Sequence, residues 1–157
     1  MMRNKLQRSL AIVVALFGWT TLALAQGGIA VVVNPHNSQS GISKGELRKL
    51  LSGEKRYWQD GSAVKVFTRN TGTTEHDALL KLMGMSENEY RQYWRARVYQ
   101  GEAQTEPVSL PSNGMQREAL QAYPGAIALV DAADLKPGMK VLKIDGKMPG
   151  EDGYPIR

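Results

Sequence analysis

Apolar residues fill successive positions from Ile29 to Val33 and again from Ala126 to Val130. Such runs predict strands covered on both faces, as in a sheet with helices above and below it. Between them the spacing turns helical. Leu47, Leu50 and Leu51 stand at i, i+3 and i+4 behind Ser43-Lys44-Gly45-Glu46, a capping-box pattern that opens a short helix ending at Gly53. Ala63–Thr68 reads as the next strand. Leu79, Leu82 and Met83 mark the inner face of a second helix, closed by Gly84. Ser86–Glu89 is another capping box, and Tyr90, Tyr93, Trp94 and Val98 follow it at helical spacing as a core stripe. Gly101–Pro111 reads as a loop. Ser112-Asn113-Gly114 then opens a helix with Met115, Ala119 and Leu120 facing inward, broken at Tyr123-Pro124-Gly125. Lys140–Ile144 alternates as an edge strand does, and Met148–Arg157, with its glycines, prolines and acids, reads as an extended or mobile tail. Strands alternating with helices predict an α/β domain, a three-layer, mostly parallel sheet flanked by helices.

The first 25 residues stand apart from this pattern. Arg3, Lys5 and Arg8 form a basic start, Leu10–Leu22 an apolar core, and Ala23-Leu24-Ala25 a small-x-small cleavage signal. These are the parts of a secretory signal peptide, with cleavage expected after Ala25 and a periplasmic location for the single domain 26–157. The apolar run is too short and interrupted for a comfortable membrane span, so the cleaved chain is expected not to be membrane-embedded.

Setting that segment aside changes the charge. The whole chain carries 20 basic and 15 acidic residues, a net of +5. Three bases and no acids fall in the signal, which leaves seventeen against fifteen, a net of +2. So small an excess, with its bases dispersed, gives no footing for a nucleic-acid partner. There is no cysteine, so the core must hold without disulfides, and thiol chemistry is excluded. The two histidines, His36 and His76, are far apart and have no metal-site spacing, so no metal or cofactor is expected.

The chemistry concentrates in Val66–Leu80, read as a strand end, a loop of small polar residues and a helix start. The first turn of a helix has unpaired N–H groups and the positive end of the macrodipole. Small hydroxyl residues and glycine let an anion approach those donors, and Arg69 adds a planar cationic fork. The residues equally suit a plain cap, with Thr71 or Thr73 closing the helix and Arg69 in solvent. The helix start at Ser112 is a second place of the same kind. Glu75, His76 and Asp77 are adjacent on a helix and point in different directions, so they do not assemble a catalytic centre, and no enzyme is expected.

Four segments in order resemble the solute-binding proteins of phosphate ABC transporters, in the type II periplasmic-binding-protein class. They are Val31-Val32-Val33-Asn34-Pro35, the stretch Leu50–Gly61, the loop Arg69-Asn70-Thr71-Gly72-Thr73-Thr74, and Tyr123-Pro124-Gly125-Ala126-Ile127-Ala128-Leu129-Val130. Tyr93–Gly101 is similar to small stand-alone members of that group. The resemblance implies one lobe of such a protein, phosphate or a similar oxyanion as ligand, and an ABC transporter permease or envelope complex as partner. It implies ligand contacts by the Arg69 fork, the Thr73 hydroxyl and the backbone of Gly72 and Thr74, with Thr71 beside them. Ser112 is added from its position alone. The chain departs from the family in its length, enough for about one of two lobes, in its less glycine-rich loop, and in Ala128-Leu129 where Gly-Tyr is usual. The competing expectation is therefore a single-lobe accessory or interaction module with little ligand affinity.

Overall fold

The computed structural model describes residues 27–156, so the expected signal peptide lies outside the described residues. Strands β1 (Ile29–Val33) and β2 (Gly41–Ile42) come first, then helix α1 (Lys44–Leu51), β3 (Lys65–Arg69), α2 (Thr74–Met83) and α3 (Glu87–Tyr99). They are followed by β4 (Val108–Leu110), α4 (Asn113–Ala122), β5 (Ala126–Asp131), a 3-10 turn at Ala132–Asp134, β6 (Lys140–Val141) and β7 (Lys143–Ile144). Five strands form one sheet in the order β4-β3-β5-β1-β6, and β2 pairs with β7 in a small parallel ladder.

The sheet is mostly parallel, as the alternation of elements requires: β3 runs parallel to both β4 and β5. The exception is β1, which is antiparallel to β5 and to β6, with Val31 opposite Leu129. Its unbroken apolar run reports burial on two faces, and burial is blind to strand direction. Side chains alternate across it. Ile29, Val31 and Val33 join Ile127, Leu129 and the inner faces of α1, α2 and α3 in one core. Ala30 and Val32 join Ala126, Ala128, Val130 and α4 residues Ala119 and Leu120 in the other. Three layers result.

Local chemistry explains most boundaries. The hydroxyls of Ser43, Thr73, Ser86 and Ser112 each accept from a backbone N–H in the first turn of the helix they open. The Ser86–Glu89 capping box is complete, and Gly84 closes α2 in the left-handed conformation. The Ser43 box is only half made, because Glu46 pairs with Lys55 instead of returning to its cap. At the end of α1, Tyr93 donates to the Ser52 carbonyl at 2.8 Å and Arg97 to that of Gly53 at 3.2 Å, so α3 caps α1 from outside. Asn34 does the same for α4, donating to the carbonyls of Leu120 (2.9 Å) and Gln121 (3.1 Å). Trp58 is buried beneath its loop, with Nε1 donating to the Gly125 carbonyl at 3.0 Å.

Five expectations change. Met115 is exposed, and Gln116 is buried in its place because its amide finds the Leu129 carbonyl at 3.0 Å. Val98, expected in the core stripe of α3, is partly exposed at the far end of the helix. Residues 108–110 of the expected loop form β4, an edge strand too short to carry a pattern. Lys140–Ile144 divides between two sheets around the buried Leu142. Among its described residues the tail carries no strand or helix, yet Tyr154 and Ile156 pack into the core and the Tyr154 hydroxyl donates to the Ile29 carbonyl at 2.8 Å.

Candidate functional site

Strand β3 ends at Arg69, a loop of four residues follows, and Thr73 caps α2. The Thr73 hydroxyl accepts from the His76 N–H at 3.3 Å and donates to the Asn70 carbonyl at 3.0 Å, fixing the turn at both ends. Gly72 takes a positive φ of 89°, a conformation that side chains resist, and the space beside its Cα is open. The α4 start lies next to this loop. Arg69 pairs with Leu110 across the β3–β4 ladder, its Nη2 donates to the Pro111 carbonyl at 3.4 Å, and Ser109 donates to the Asn70 side chain at 2.7 Å. Ser112 therefore sits one residue from a group that touches Arg69, with its own hydroxyl turned to the Met115 N–H at 3.2 Å.

The donors of this loop meet carboxylates. Arg69 Nη1 lies 3.8 Å from Glu75 Oε1, and Glu75 is almost fully buried. The Nε and Nη1 groups of Arg69 are enclosed without a close hydrogen-bond acceptor. The Thr74 hydroxyl lies 3.3 Å from Glu75 Oε2 and 3.4 Å from Asp131 Oδ2, two acceptors for one hydrogen. The Thr71 hydroxyl donates to Glu87 at 3.3 Å. The first turn of α2 thus brings N–H donors and a guanidinium into a setting where internal carboxylates are already close, Glu75 being the acid nearest Arg69.

A cavity of about 750 Å³ opens beside the helix start. Its polar lining is Thr74, Asp77, Lys81, Asp131, Glu151 and Asp152, over an apolar floor that includes Ile29, Ala78 and Tyr154. Of the six residues expected at the site, Thr74 alone lines it. Arg69, Thr71, Gly72, Thr73 and Ser112 lie together outside it, around the loop. Two carboxylates outside the expected contact residues reach the loop. Glu75, named from the sequence only among three adjacent residues that build no catalytic centre, is the buried partner of Arg69. Asp131 ends a strand that is adjacent only in the folded sheet. Among the described residues no group of three or more His, Asp or Glu side chains could hold a metal, and no helix is long and apolar enough to cross a membrane.

The architecture is an open, three-layer α/β sheet with a capped helix start at the carboxyl end of β3. A family description, the PBP superfamily domain, matches residues 10–151, and the chain belongs to that superfamily. Among solved structures it is similar to an ABC-type phosphate transport receptor from Vibrio cholerae (18% identity, TM-score 0.63, 80% of this chain and 49% of that one). It is similar to a Clostridium perfringens protein solved with bound phosphate (15% identity, TM-score 0.67, 85% and 53%) and to PstS from Borrelia burgdorferi (17% identity, TM-score 0.59, 78% and 49%). At these identities the likeness is one of fold, and the chain spans about half the length of the structures it matches. No curated protein matches it in sequence.

Proposed function

We propose that this chain is an exported, periplasmic solute-binding-like protein that takes phosphate or a related oxyanion at the N-terminus of α2, in the service of phosphate uptake by an ABC transporter. The observation that carries the reading is the meeting of Arg69, at the carboxyl end of β3, with the Thr73-capped first turn of α2. Open α/β sheets bind ligands at that end of their strands, and a helix start supplies N–H donors to an anion. Arg69 contributes charge, Gly72 and Thr74 contribute backbone donors, and Thr73 holds the turn. Thr71 lies within the loop and Ser112 beside it. The nearby carboxylates favour an oxyanion that still bears a proton, because Asp131, beside Thr74, can accept its hydrogen where a fully ionised anion is repelled. The role is binding without catalysis, and it requires no cofactor.

A second reading rests on a specific observation. Glu75 already neutralises Arg69, which favours a single-lobe accessory or interaction module of an envelope complex with little ligand affinity. Isothermal titration with phosphate and sulfate separates the two. The first reading expects a phosphate heat that disappears in Arg69→Ala, with the variant's fold checked by circular dichroism. No heat with either anion at millimolar concentration removes the binding reading and leaves the second.

A further inference from the structure

The imidazole of His76 is buried at the start of α2 with an acceptor at each nitrogen. Nδ1 lies 3.0 Å from the Arg69 carbonyl oxygen, and Nε2 lies 2.5 Å from Glu87 Oε2. A carbonyl oxygen only accepts, so Nδ1 carries a hydrogen. An ionised carboxylate only accepts too, so Nε2 carries a second. The surroundings keep Glu87 ionised. Its other oxygen takes the Thr71 hydroxyl at 3.3 Å, and Arg91 Nε stands 3.9 Å away. Its carboxyl is held below the usual range, chiefly by the hydrogen bond from His76.

We infer that His76 sits in the fold as a doubly protonated imidazolium that clasps the Arg69–Thr73 loop to the start of α3. One N–H holds the end of β3 and the other holds Glu87, so a single cation joins three elements. The charged and titratable groups around it are Glu87, Arg91 and the edge-on Tyr90 from α3, Arg69 from β3, and Glu75 and Asp77 from its own helix. Losing one proton leaves the Arg69 carbonyl or the Glu87 carboxylate facing a lone pair. Protonating Glu87 opens the joint from the acid side. The clasp belongs to the loop itself and stands whether or not that loop takes an oxyanion.

The chain has two histidines, and His36 is exposed, so the protein contains its own reference. Long-range proton–nitrogen correlation spectra of ¹⁵N-labelled protein carrying no histidine tag read the protonation of each ring nitrogen directly. At neutral pH both His76 nitrogens are expected in the protonated class, with ring N–H protons that exchange more slowly than those of the exposed His36. In Glu87→Gln, His76 is expected to lose one proton. Amide exchange across residues 70–73 then accelerates roughly ten- to a hundredfold, the loss of one charge-assisted hydrogen bond. An unprotonated nitrogen on His76 in the unaltered protein overturns the imidazolium. Unchanged loop exchange in Glu87→Gln overturns the clasp.

Discussion

The guanidinium of Arg69 and the carboxylate of Glu75 face each other at 3.8 Å, with side-chain exposures of 11% and 5%. The cation best placed to receive an anion is thus matched by an acid six residues on, in the first turn of the helix that would present the anion. Removing one partner of such a pair leaves an uncompensated buried charge. Arg69→Ala is expected to cost about 3 kcal/mol of stability, read as a lowered urea midpoint. Glu75→Gln spares the cation and removes its competitor. If the loop takes oxyanions, this variant binds phosphate more tightly by roughly tenfold or more, since a like charge a few ångströms away is worth several kcal/mol even when partly screened. Calorimetric titration of the two proteins side by side checks the direction.

Gly125 is needed for closeness. A Cβ there would lie 1.7 Å from the Ala63 carbonyl oxygen, a backbone atom that cannot step aside. Its own carbonyl meanwhile accepts from Trp58 Nε1. Gly125→Ala is therefore expected to cost about 3 kcal/mol or more, by separating the start of β5 from the start of β3. Trp58→Phe keeps most of the packing and loses the hydrogen bond, at about 1–2 kcal/mol. Thermal melts that rank the pair the other way round would contradict this account of the joint.

The tail is anchored through Tyr154. Its phenol is pushed up by burial, and its hydroxyl donates to the Ile29 carbonyl on β1. Tyr154→Phe is expected to lose about 1 kcal/mol, and Tyr154→Ala about 3–4 kcal/mol, because the second change also empties a packed site. Protease digestion under native conditions offers a second check. The alanine variant should be cut within residues 148–156 much faster than the phenylalanine one.

Glu87 fixes the sign of an acid dependence. Its value in the folded protein lies below its ordinary one, so the stability it contributes is complete above the usual carboxylate range and is lost as pH falls through the lowered value. Chemical denaturation from about pH 6 to about pH 3 should show the unaltered protein losing about 1 kcal/mol more than Glu87→Gln. Parallel pH profiles for the two proteins would remove the carboxylate from the account.

What could be read from the sequence is what the chain settles within a few neighbouring residues. Ser43, Thr73, Ser86 and Ser112 cap helices because their hydroxyls reach N–H groups three residues on, and Gly84 ends α2 because glycine accepts the left-handed turn. The apolar runs of β1 and β5 announced burial on two faces, and the order of elements announced the layers. Other features depend on residues distant in the chain, and only the tertiary structure decided them. The direction of β1 is set by its partners, β5 and β6. The three residues of β4 become a strand by pairing with Phe67–Arg69. Tyr154 reaches Ile29 across nearly the whole described chain. The same division runs through the loop at Arg69. That it would be a helix start with hydroxyls and a cation was legible in order, residue by residue. That Glu75 turns inward to Arg69, that Asp131 arrives beside Thr74, and that His76 spans from Arg69 to Glu87 follows from packing α2 and α3 against the sheet. That packing excludes water and obliges each polar group left inside to find a partner.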